Sequence, residues 1–264
     1  MRSRALGTKS VISHQSSAIS HQPSAIERDR RPRPIERVVA LLEVLLCSDY
    51  PTQLALGTTF ALFGFRPGAA GRMSLGYIAA LSLTDTVLLI GLIVFFLRAH
   101  GERPHDIFLG RRSIGREALI GVPLVVVAFG IAIAVLLAVQ RFAPSLHTVA
   151  HNPLEDLIGS RAQAVVFAFV VVVAGGVREE IQRAFLLHRF SVWLGGGTVG
   201  IVVTSIAFGA GHFEVQGADA AIATGLLGAF WGIVYLRRQS AVAPIVSHAG
   251  FNLMEIVHYL LIAG

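Results

Sequence analysis

A chain of 264 residues that is 54% hydrophobic and only 14% charged is not an ordinary water-soluble domain, since such domains carry about 25% charged residues. Its formal net charge of +6 gathers in the first 37 residues and in short loops between apolar runs. Membrane topology places Lys and Arg in such loops, so nucleic acid is not the expected partner. The single cysteine, Cys47, excludes an internal disulfide framework and a multi-cysteine metal site.

Residues 1–37 are polar and basic and carry a tandem repeat, ISHQSSA at 12–18 and ISHQPSA at 19–25. Such a stretch buries too little apolar surface to fold, and it lacks the apolar core of a signal peptide. A disordered basic N-terminal tail is expected there, followed by a transmembrane helical domain over 38–264. A bilayer core of about 30 Å takes about 20 helical residues. Spans are expected near 38–65, 73–98, 118–140, 163–194, 198–215, 219–237 and 241–262. The first is broken at Ser48, Asp49, Tyr50 and Pro51, and the fourth is long enough to need a hinge at Gly175 and Gly176. Arginines at 28–37, 98–116, 183–189 and 237–238 fall in alternate loops, all on one side, and set the N-terminus in the cytoplasm. The expected fold class is therefore all-α, a polytopic transmembrane helical bundle of about seven spans with the lipid bilayer as its partner.

Charged groups inside spans are costly and usually functional. The fourth span carries Glu179 and Glu180 with Arg183 close behind; the fifth carries Phe208 and His212 in F-G-A-G-H. In the seventh, H-A-G-F-N sets His248 and Asn252 on one helical face, with Glu255 further along it. Each of these groups needs a polar partner in hydrocarbon, and convergence of the three helices supplies one. Asp85, between Thr84 and Thr86, reads as a packing residue bonded to a neighbour, or as an ion-coupling carboxylate if the chain were a transporter. Gly228 and Gly232 suit close helix packing within the chain. Trp193, Tyr235 and His258 suit the membrane interface.

These motifs resemble the CPBP intramembrane proteases, which include the CAAX prenyl endopeptidases and bacterial relatives linked to bacteriocin processing and immunity. The family pattern is E-E-x-x-x-R, F-x-x-x-H and H-x-x-x-N, and the likeness covers about residues 160–260. Here the arginine comes one residue early, so that Ala184 holds the family's arginine position. If the arginine sets the register, Glu179 matches the second glutamate and Arg178 the first.

The resemblance implies an intramembrane endopeptidase acting on a membrane-associated protein or peptide in the bacterial inner (cytoplasmic) membrane. It makes Glu179 the general base with His212 as its partner, and gives His248 and Asn252 the oxyanion. Glu180 and Arg183 then orient the site or hold a substrate carboxylate. No cofactor is expected. The alternative within the enzyme class is zinc on Glu179, His212 and His248 with water as the fourth ligand. Outside it stand a transporter and a non-catalytic membrane partner or immunity protein.

Overall fold

The computed structural model describes residues 32–68, 74–147 and 155–263, so the repeats of the basic tail lie outside the described residues. Within the unit Pro34–Gly264, helix α1 (Pro34–Leu46) starts about a turn before the apolar run and meets α2 (Tyr50–Leu62) at a 43° bend. Pro51 sits in the first turn of α2, where a missing N–H costs nothing. Then come α3 (Leu75–Ala99), the short α4 (Pro104–Phe108), α5 (Ile114–Phe142) and α6 (Arg161–Val170). A π-helix, Val171–Arg178, runs directly into α7 (Glu179–Trp193), and α8 (Gly197–Arg238) and α9 (Val242–Ala263) complete the bundle. Among the described residues there is no strand.

Three helices are long and apolar enough to cross a membrane, namely Leu75–Ala99, Ile114–Phe142 and Gln216–Arg238. The bent pair α1–α2 raises this to four. The expected seven is not confirmed by length and composition, because α6 (10 residues) and α7 (15 residues), on either side of the π-helix, are each too short to count alone. The fifth expected span is the short helix Gly197–Phe213. It is the first arm of α8, which turns back at Gly217, a residue with φ +86°. The two arms cross closely, and a Cβ on Gly209 would lie 2.6 Å from the Ala221 carbonyl oxygen.

The pattern of burial is that of a protein solvated by lipid. Leu54, Leu62, Val87, Leu119, Val126, Ile206 and Leu261 stand exposed, while Asp85, Glu117, Arg178, Glu180, Arg183 and Arg189 are buried. One core joins Leu89, Ile93 and Leu97 of α3 to Phe185 and Phe190 of α7 and to Cys47. A second surrounds Trp231 with Ala128, Ala132, Leu227 and Phe251. Tyr235 is not an interface anchor: it is buried, and its hydroxyl donates to the Ile107 carbonyl at 3.2 Å. Trp193 instead packs on the Arg189 guanidinium, 4.9 Å from its ring centroid.

Candidate active site

The π-helix is what brings the site together. Its extra residue per turn lets the Glu179 N–H reach the Ala174 carbonyl, and such turns recur at functional sites. Gly175 and Gly176 are not a loose hinge but a contact surface for α9. A Cβ on Gly176 would lie 2.6 Å from the Ala249 Cβ, and one on Gly175 would lie 2.5 Å from Asn252 Nδ2. Ala249 follows His248 in the chain, so this contact presses His248 against the paired glutamates.

His248 meets both carboxylates. Its Nδ1 is 2.8 Å from Glu180 Oε1, and its Nε2 is 3.9 Å from Glu179 Oε2. Glu180 also accepts from Arg183 Nη1, the pair formed across one helical turn. An ionised carboxylate only accepts, so His248 donates from Nδ1 and directs Nε2 towards Glu179. Glu180 Oε1 takes both of these contacts and its side chain is 1% exposed, whereas that of Glu179 is 14% exposed. Of the two glutamates, Glu179 is the one a water or substrate can reach.

His212, expected as the partner of Glu179, is held by the backbone. Its Nδ1 bonds the Phe208 carbonyl at 2.8 Å. A carbonyl only accepts, so Nδ1 carries the proton and Nε2 is the remaining basic nitrogen of the neutral ring. The Phe208 ring links the two histidines, edge-on to His212 at 4.9 Å and to His248 at 6.3 Å between centroids. Asn252 lies along the π-helix, with Nδ2 3.5 Å from the Val171 carbonyl. Beside His212 a cleft of about 600 Å³ is lined by Tyr50, Ala210, Gly211, Phe213 and Ala221.

Among the described residues, no three His, Cys, Asp or Glu side chains gather into a set able to hold a metal ion. His248 Nδ1 bonds Glu180 and His212 Nδ1 bonds a backbone carbonyl, which leaves the Nε2 atom of each ring for chemistry.

The structure adds residues that sequence reasoning left aside. Arg178 is buried and holds Asp49, Asp85 and Glu179 together. Trp231 stacks on His248. The signal for the first was already visible as three unexplained charges in apolar surroundings. No sequence signal marked the second.

Residues 161–254 match the Rce1-like family, described as type II CAAX prenyl endopeptidase Rce1-like, a match that supports an intramembrane hydrolase of the CPBP/CAAX protease kind. Comparison with curated proteins and with solved structures gives no match.

Proposed function

We propose that this hydrolase cleaves a peptide bond of a membrane-associated protein or peptide with a water activated by Glu179. The observation that carries the reading is the 3.9 Å separation of Glu179 Oε2 from His248 Nε2. That gap is too long for a direct hydrogen bond and suits one bridging water. Glu179 takes a proton from this water as its oxygen attacks the scissile carbonyl. Asn252 Nδ2, held by a long contact to Val171, donates to the developing oxyanion. His212, whose Nε2 is its remaining basic nitrogen, receives the proton from Glu179 and passes it to the leaving amine. Glu180 and Arg183 keep His248 in place.

The substrate enters along the cleft beside Tyr50 and Phe213, whose small lining residues Ala210, Gly211 and Ala221 accept an extended chain. The membrane arrangement we favour has seven crossings: α1–α2, α3, α5, α6 with the π-helix and α7, each arm of α8, and α9. The basic loops then lie on the cytoplasmic side of a bacterial inner membrane with the N-terminus.

The test is cleavage of a membrane-peptide library by purified wild type and by Glu179→Gln, with and without a strong chelator. Loss of about 10²-fold or more in the variant, with unchanged thermal unfolding and no effect of chelator, is the expected result. A Glu179→Gln protein that cleaves like wild type overturns the assignment. Sensitivity to chelator moves the chemistry to zinc.

A further inference from the structure

Outside the glutamate–histidine group, the most unusual feature of the molecule is the number of acids around Arg178. Its Nη1 donates to Asp49 Oδ1 at 2.8 Å and also to Asp85 Oδ2; its Nη2 lies 3.3 Å from Glu179 Oε1. Its Nε donates to the Ala174 carbonyl at 3.3 Å, the same oxygen that accepts the Glu179 N–H across the π-turn. The three acids come from three segments: the α1–α2 corner, the middle of α3, and the start of α7.

A guanidinium buried only to be neutralised needs one carboxylate. Three acids on one cation leave excess negative charge in a low-dielectric interior, which is expensive. Two details show that the arrangement is held against strain. Asp49 occupies a left-handed backbone conformation at φ +79°, unusual for a residue other than glycine. Asp85 is fully buried, and its second oxygen has no hydrogen-bond partner among the described residues. Of the three carboxylates only that of Glu179 also faces His248.

We propose that Arg178, anchored by Asp85 and Asp49, is the positioning residue for Glu179: it fixes the carboxylate so that Oε1 rests on the guanidinium and Oε2 is turned to His248. The anchoring is geometric. Asp85 and Asp49 share one guanidinium nitrogen, Nε is tied to the helix backbone, and the remaining nitrogen can point only along the direction Glu179 occupies. In this role Arg178 acts through Glu179, to which it is bound directly. The proposal rests on Glu179 being the general base.

The experiment compares wild type, Asp85→Asn, Asp49→Asn and Glu179→Gln by cleavage kinetics, thermal unfolding and infrared spectroscopy. The Glu179 carboxylate band is isolated by subtracting the Glu179→Gln spectrum. If the proposal holds, the band shifts in Asp85→Asn, and kcat falls about 10- to 100-fold, as for other supporting residues, with KM little changed. Asp49→Asn, at a more exposed position, does the same to a lesser degree and serves if Asp85→Asn does not fold. An unmoved band in a folded variant overturns the proposal. If Glu179→Gln cleaves normally, the general-base reading fails, and the band still decides whether Arg178 holds Glu179.

Discussion

His248 lies face to face on Trp231, with ring centroids 3.8 Å apart and planes 16° from parallel. The indole is itself fixed: its Nε1 donates to Ser247 Oγ at 3.1 Å, and its side chain is buried in the second core. A stacked ring leaves the imidazole only its edge for polar contacts. That edge is where both glutamates sit, Glu180 at Nδ1 and Glu179 towards Nε2. Trp231 thus sets the plane in which the site is built.

Removing this wall has two separable effects. Trp231→Ala leaves a cavity in a packed interior, a change that costs about 3–5 kcal/mol, and it frees the His248 ring to rotate. Trp231→Phe keeps an aromatic face while losing the bond to Ser247 and part of the buried ring area. Cleavage falls strongly in the first, by about 10²-fold for a misplacement near 1 Å, and stays close to wild type in the second. Thermal unfolding measured beside cleavage tells the two effects apart: activity lost in Trp231→Ala molecules that remain folded belongs to the ring. Full activity in folded Trp231→Ala would show that the stack does not orient His248.

The π-helix makes an equally sharp demand at Gly176. Its missing Cβ leaves room for Ala249, and an added methyl would lie 2.6 Å from the Ala249 Cβ and 2.9 Å from its Cα. Neither atom belongs to a flexible side chain, so α9 must move. Gly176→Ala is expected to cost about 1–3 kcal/mol as overpacking and to withdraw His248 from the glutamates. Gly91 and Gly130, where a Cβ meets nothing within 4 Å, provide helical controls. Alanine at either raises helix propensity and leaves cleavage unchanged. The comparison is read as cleavage rate per folded molecule, and a fully active Gly176→Ala would refute the close-packing argument.

What could be seen in advance divides along physical lines. The all-helical membrane fold followed from long apolar runs. Glu180, Arg183 and His248 were flagged because isolated charge in hydrocarbon needs partners, and they do meet. The partner assignments within the set were not legible. Spacing puts His248 and Asn252 on one face of a helix, but it does not say that a π-turn rotates Glu179 and Glu180 towards His248 while His212 bonds a backbone carbonyl. The arginine that seemed one residue early is the partner of Glu180, and the neighbouring Arg178 serves Glu179. Trp231 carried no signal, because stacking depends on tertiary geometry that no local pattern encodes. The span count is harder to read, because the π-helix divides one long expected span into pieces each too short to count as a crossing.

At the other end of α7 a second network makes a prediction about pH. Arg189 bridges Glu43 and Glu102, at 2.5 Å each, and each glutamate also meets a histidine at 2.6 Å, His100 and His188 respectively. Glu102 lies in the loop after α3, outside the helices. Burial pushes its carboxyl up, but the hydrogen bond and charge of His188, with those of Arg189, outweigh this and hold it below the ordinary glutamate value. A carboxyl with a lowered folded-state pKa binds fewer protons in the folded than in the unfolded protein. Its contribution is complete above the unfolded value and disappears as pH falls through the folded one. Thermal stability of the wild type should therefore drop on acidification from the ordinary glutamate range downward. Glu102→Gln should start lower at neutral pH and lose less over the same interval. Melting curves of both proteins in one detergent across that range provide the check. Parallel pH dependences would show that Glu102 does not tie the end of α3 to α7 through its charge.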